Sequence, residues 1–119
     1  MRQSSHIQSF SKKERLTGTE NFIRVYQKGK RIKLPGLTII VIGNYLPYRR
    51  IGISAGRKIG GAIKRNRAKR LIRELFRTNK WIFPAGHDLV FVPYRKFFHL
   101  DLNELKSNLV KAFEASKRF

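Results

Sequence analysis

Arg57 to Arg77 reads RKIGGAIKRNRAKRLIRELFR. It holds nine basic residues, Arg57, Lys58, Lys64, Arg65, Arg67, Lys69, Arg70, Arg73 and Arg77, against one acid, Glu74, a formal charge of +8. Wound as an α-helix from Gly61 onward, at about 100° per residue, the stretch sorts into two sides. Ala68, Leu71, Ile72, Leu75 and Phe76 fall in one sector, and Arg65, Asn66, Lys69, Arg70, Arg73 and Arg77 fall opposite. The apolar stripe can bury against a sheet, which would fix the cations as an outward ridge. Lys64 and Arg67 lie on or beside the apolar sector near the helix start, so they must snorkel or overhang the sheet edge. Glu74 is placed to pair with Arg70 at four residues' spacing or with Arg77 at three.

Such a ridge fits nucleic acid, an anionic membrane surface or an acidic protein. Arginine outnumbers lysine in it, and guanidinium forks match phosphate oxygens bidentately, which favours nucleic acid. A membrane-surface helix would turn its apolar stripe to lipid, whereas here that stripe is needed for the core. An ordinary solvated helix face would mix its charge signs.

The chain as a whole agrees. Its 119 residues carry 27 Lys plus Arg against 7 Asp plus Glu, a net charge of +20 and a pI near 11.4. That balance belongs to nucleic-acid binders, and the self-repulsion makes a polyanionic partner stabilising by linkage. With 41% hydrophobic residues the chain is no disordered tail, and the length fits one domain. There is no cysteine, which removes disulfides, thiolate chemistry and Cys-type zinc sites. No apolar signal segment or membrane-length run occurs, so a soluble, cytoplasmic protein is expected.

Outward from the basic stretch, residues 1 to 11 are polar apart from Ile7 and Phe10 and read as a flexible arm, with residues 12–119 as a single RNA-binding domain. Thr19 is a plausible N-cap for a helix placing Phe22, Ile23, Val25 and Tyr26 on one face and ending at Lys28-Gly29. A short strand in GKRIK, a turn at Pro35-Gly36 and a central strand Leu37 to Ile42, apolar on both faces, follow. Arg50 to Arg57 reads as the next strand, with Ile51, Ile53 and Ala55 on one side and only Gly52, Ser54 and Gly56 on the other. That bare side means either close helix packing or the floor of a groove. Gly60-Gly61 lets the basic helix begin close to the sheet. Beyond Thr78-Asn79-Lys80 come the apolar Trp81-Ile82-Phe83, a turn at Pro84-Ala85-Gly86, a strand Asp88 to Val92, and a helix opened by a capping-box-like Asp101/Glu104 pair. The order predicts an α+β single domain with a helix-packed sheet, the strands flanking the basic helix being parallel neighbours.

The chain carries little catalytic chemistry of its own. Glu20, Asp101 and Glu104 are explained by helix N-termini, and Asp88 alone is at best a weak candidate. His6, His87 and His99 are scattered without ligand spacing. RKIGGAIKR lacks the ending and glycine spacing of a P-loop, so no nucleotide cofactor is expected. Phe22 and Tyr26, one helical turn apart, either pack in the core or stack on unpaired nucleotides in a groove.

The segment Ile59 to Glu74, IGGAIKRNRAKRLIRE, resembles the signature of the protein subunit of bacterial ribonuclease P, through Ala62, Arg65, Asn66, Arg67, Lys69, Arg70, Ile72 and Arg73. The likeness extends through Lys12 to Leu16, Phe22 to Tyr26 with Gly29-Lys30-Arg31, Gly52-Ile53-Ser54 and Arg57 to Gly60. It departs at Ala68 and Tyr26, where a larger aliphatic and phenylalanine are usual. The resemblance implies an α/β sandwich with a left-handed crossover through the basic helix. It also implies that catalysis belongs to the RNA subunit and its Mg²⁺, that the protein alone is not catalytic, and that the partners are ribonuclease P RNA and the 5′ leader of precursor tRNA, with no membrane. Carried onto this chain, the RNA-subunit set is Lys58, Lys64, Arg65, Asn66, Arg67, Lys69, Arg70 and Arg73, and the leader set is Phe22, Tyr26, Thr38 and Ile40. A structural RNA-binding protein such as a ribosomal component is the alternative, and an autonomous nuclease a third reading.

Overall fold

The computed structural model describes residues 11–115. Three helices, α1 (Thr19–Lys28), α2 (Ala62–Thr78) and α3 (Leu102–Ala115), surround four strands, β1 (Lys30–Leu34), β2 (Leu37–Gly43), β3 (Arg50–Ile53) and β4 (His87–Pro93). The sheet order is β1-β2-β4-β3. β1 and β2 form an antiparallel hairpin, β2 and β4 are antiparallel, and β3 runs parallel to β4. The crossover between those two parallel strands is α2, as the sequence predicts.

Period-two alternation on the central strands divides the core. Leu37, Ile39 and Val41 of β2 and Leu89 and Phe91 of β4 meet Ala68, Ile72, Leu75 and Phe76 of α2 and Leu105, Leu109 and Phe113 of α3. Phe83 stands among them, its ring 5.4–5.7 Å from Phe76, Phe91 and Phe113. On the other face Ile40 and Val90 meet Leu16 and Val25. The sheet is thus sandwiched, with α2 and α3 on one face and α1 on the other.

Several expectations shift. The expected strand Arg50–Arg57 stops at Ile53, and Arg57–Ile59 is a 3-10 turn. Ser54 N–H still donates to the Phe91 carbonyl, but the next bond of a parallel ladder would need the N–H of Pro93, which proline lacks. Gly18 rather than Thr19 is the N-cap of α1. Ile23 is 48% exposed, so the buried side of α1 is narrower than expected. Trp81 is exposed while Ile82 and Phe83 are buried. The Asp101 carboxylate caps α3 by accepting the Asn103 N–H at 2.9 Å.

The expected arm lies outside the described residues except for Ser11. Ser11 belongs with the ordered part, since its N–H and hydroxyl donate to Glu14 Oε1 at 3.0 and 3.1 Å. Among the described residues no helix is long and apolar enough to cross a membrane.

Candidate RNA interface

Burial of its apolar stripe fixes the orientation of α2. Ala68, Ile72 and Phe76 are fully buried, which turns Asn66, Arg70 and Arg73 to the solvent and leaves Arg65 and Lys69 partly covered. Glu74 is taken by Arg77, three residues on. Arg65, Lys69, Arg70 and Arg73 therefore stand without an ion-pair partner among the described residues. At the start of the helix Gly60 has φ +136°, a conformation that a side chain resists, and the Lys64 stem lies over its Cα. Arg67 is exposed, its guanidinium 5.6 Å from the Phe98 ring centre. Lys58 is exposed on the 3-10 turn before the helix, and its carbonyl accepts from Arg95 Nε at 3.0 Å.

The leader set lies on the α1 face. A Cβ placed on Gly52 would come within 2.5 Å of Phe22 Cζ, so the bare side of β3 is where the Phe22 ring seats. Beside that contact opens a hollow of about 260 Å³ lined by Arg15, Thr17, Phe22, Gly52, Lys69 and Arg73 among others. Both alternatives for the bare side are thus realised, close packing at Gly52 and an open hollow next to it. Tyr26 is half-buried. Thr38 and Ile40 are 6% and 1% exposed, so they form floor rather than open surface.

The two sets do not stay apart. Lys69 and Arg73 share the hollow with Phe22, while Lys64 and Arg67 diverge toward Phe98 and Arg95.

Several residues in or around the site lie outside the sets carried over from the resemblance. Arg31 and Lys33 of β1 pair with Ile40 and Thr38, so both cations stand on the α1 face beside that floor. The alternation around inward-facing Ile32 in KRIKL is the signal that could have found them. Asp88, a weak candidate from sequence, is a hub. Its fully buried carboxylate accepts from Arg24 of α1, from Arg50 Nε and Nη2 at 2.8 Å each, and from Asn44 Nδ2 at 2.9 Å. Burial pushes this carboxyl up, but the hydrogen bonds from Arg50 and Asn44, the Arg50 charge and the Arg24 bond outweigh it and hold it below the usual carboxylate range. A lone acid opening an apolar strand, in a chain so poor in acids, was the available signal. Glu14 similarly receives Lys80 Nζ at 2.8 Å.

Among the described residues no three His, Asp or Glu side chains gather to hold a metal ion. With its oxygens engaged by two guanidiniums and an amide, Asp88 does not fit a cation either.

Comparison with known proteins converges on one family. Residues 10–117 match the sequence model of the family described as Ribonuclease P. The ribonuclease P protein component of Petrotoga mobilis is 42% identical over 108 residues, covering 87% of this chain and 92% of that one. The component from Thermotoga maritima is 36% identical over 114 residues, covering 90% and 97%. Among solved structures, the Thermotoga maritima RNase P protein superposes with a TM-score of 0.72 at 32% identity, covering 82% of this chain and 93% of that chain. A Staphylococcus aureus RNase P protein, a mutant with defective mRNA degradation activity, gives 0.75 at 26% identity, covering 91% and 92%. The chain therefore belongs to the ribonuclease P protein family, the protein subunits of a tRNA-processing endoribonuclease.

Proposed function

We propose that this protein docks on the catalytic RNA of ribonuclease P through the α2 ridge and holds the 5′ leader of precursor tRNA in the cleft between α1 and the sheet. The carrying observation is the ridge itself, since a buried stripe at Ala68, Ile72 and Phe76 presents Arg65, Asn66, Arg70 and Arg73 rigidly. Lys58, Lys64, Arg67 and Lys69 extend the docking surface on either side. The Arg and Lys heads neutralise phosphates and release counterions, which gives affinity without base recognition. In the cleft Phe22 and Tyr26 supply aromatic faces over the Thr38 and Ile40 floor, and Arg31 and Lys33 supply charge for the backbone of a single strand.

The cleavage chemistry would come from the RNA subunit with its Mg²⁺, and no residue of this chain would take part in that step. The protein's residues clamp the substrate and lower the repulsion between two RNAs, so the assembly processes precursor tRNA in the cytoplasm at lower Mg²⁺ than the RNA alone. The test is reconstitution with a cognate ribonuclease P RNA at limiting Mg²⁺. Processing of leader-bearing tRNA should rise on adding the protein, and no gain at any protein concentration defeats the reading. Arg65→Ala and Arg70→Ala should each weaken RNA-subunit binding and lower its salt slope by roughly 0.7 to 0.9. Tyr26→Ala should weaken leader-bearing tRNA by about 1 to 3 kcal/mol more than mature tRNA. Equal losses on both would assign Tyr26 to packing alone.

A further inference from the structure

Between α2 and the turn that precedes α3 lies a second cationic hollow, of about 230 Å³, lined by Ile59, Lys64, Arg67, Arg95, Phe98 and His99. It joins the start of the basic helix to the 3-10 turn Arg95–His99, a segment 28 residues after Arg67 in the chain. Among the described residues no carboxylate lines it. Lys64, Arg67 and Arg95 have no ion-pair partner among the described residues. Three cations sharing one hollow without an ion-paired acid repel each other.

Two contacts hold the groups in place. Arg67 lies over the Phe98 ring at 5.6 Å, and Arg95 donates its Nε to the Lys58 carbonyl, while its terminal nitrogens make no hydrogen bond among the described residues. A guanidinium tethered by Nε and open at its Nη atoms is set up to grip phosphate oxygens. Ile59 and Phe98 give the hollow an apolar wall against which a ribose can rest. His99, exposed at the rim, adds a ring nitrogen as a further hydrogen-bond partner.

We infer that this hollow is a binding site for an RNA phosphodiester, contributed by the RNA subunit, and that Arg95 is a docking residue alongside the α2 ridge. The inference rests on the proposed docking of α2, because Lys64 and Arg67 belong to both surfaces. It extends the footprint from one helix to two segments of chain, and so fixes the rotation of the helix on the RNA as well as its position.

The experiment measures binding of the full chain to ribonuclease P RNA alone, and separately to precursor tRNA alone, across a salt series. Arg95→Ala should reduce the salt slope for the RNA subunit by about 0.7 to 0.9, which is a 5- to 8-fold weaker Kd near 0.1 M salt. Arg95→Lys keeps the charge and should restore most of the slope. Lys111→Ala, an exposed cation on α3 outside the hollow, should leave it unchanged. Wild-type slope and affinity for Arg95→Ala would overturn the inference. So would Arg95→Lys as weak as Arg95→Ala, which would trace the loss to the Lys58 carbonyl bond, or a loss confined to precursor tRNA. Arg65→Ala run in parallel separates the two levels of argument. If it lowers the slope and Arg95→Ala does not, only this site fails; if neither does, the α2 docking fails first.

Discussion

Replacing Asp88 by asparagine removes one charge and almost no volume, yet it strikes the point where α1, β3, β4 and the loop after β2 meet. Four donors converge on the two carboxylate oxygens. Asn44 Nδ2 and Arg50 Nε reach Oδ1, and Arg50 Nη2 and Arg24 Nη2 reach Oδ2. Asparagine keeps one oxygen and presents an NH₂ in place of the other, so one pair of donors then faces a donor. Two charge-assisted hydrogen bonds are lost, each worth about 1.5 to 3 kcal/mol. The Arg24 and Arg50 side chains keep 33% and 23% of their exposure, so water recovers part of the loss. The net cost is about 2 to 4 kcal/mol, a large share of the ~5 to 15 kcal/mol that holds a domain together.

Urea unfolding of the full chain at fixed ionic strength measures this. The midpoint should fall with little change in slope. Because the folded Asp88 pKa is depressed, its contribution is complete above the unfolded value, about 3.9, and is lost as pH falls through the lower folded value. The gap between wild type and Asp88→Asn should therefore stay constant from pH 5 to pH 8, as approximate bounds, and narrow only below about pH 4. An Arg24→Ala, Asp88→Asn double variant should lose less than the two singles combined. A loss below about 1 kcal/mol, or additive singles, would refute the hub.

Gly52→Ala should cost about 1 to 3 kcal/mol, because the new Cβ meets Phe22 Cζ at 2.5 Å and the ring must shift. It should weaken leader-bearing tRNA more than the RNA subunit, and equal effects would contradict the seating of Phe22. Gly60→Ala forces a side chain onto φ +136° and should destabilise by about 1 to 3 kcal/mol while weakening RNA-subunit binding, both read from denaturation and a binding series. A loss under about 0.5 kcal/mol would mean that the turn relaxes freely. Burial raises the Glu14 carboxyl, but the Lys80 bond and charge and the Ser11 bonds hold it below its ordinary value, so its contribution is present above that value and lost as pH falls through the folded one. Glu14→Gln should cost about 1 to 2 kcal/mol at neutral pH, measured by thermal or urea unfolding. No loss would show the pair to be ornamental.

Periodicity made α2 legible, because Ala68, Ile72, Leu75 and Phe76 recur at helical spacing and no other face could bury. The same holds for β2, whose apolar run over both faces required cover on each side. The length of β3 is not legible locally, since its end is set by Pro93 on a strand some forty residues later, and a local pattern carries no record of its ladder partner. Residue type alone puts Ile23 on the buried face of α1, whereas Gly52 decides which side of that helix can approach the sheet. The cleft was only half legible. Phe22 and Tyr26 advertise themselves as aromatics one helical turn apart, but Arg31, Lys33 and Arg95 acquire meaning only from registry and from the meeting of distant segments.

The placement of the acids connects fold to function. Glu14 engages Lys80, Glu74 engages Arg77, Asp88 engages Arg24 and Arg50, and Asp101 caps α3. Glu14 and Asp88 join separate elements, Asp101 caps a helix and Glu74 pairs within α2, and none opposes Arg65, Lys69, Arg70 or Arg73 on the ridge, nor Lys64, Arg67 or Arg95 at its end. The surfaces proposed to meet RNA therefore carry uncompensated charge, and in a chain of net +20 that charge penalises the free fold. Binding RNA at 100 times its Kd returns about 2.7 kcal/mol to the folded state, comparable to the loss worked out for Asp88→Asn. A variant weakened at the hub should therefore be recovered by the RNA subunit, while one weakened on the ridge should not. That difference separates the residues that build the scaffold from those that dock it.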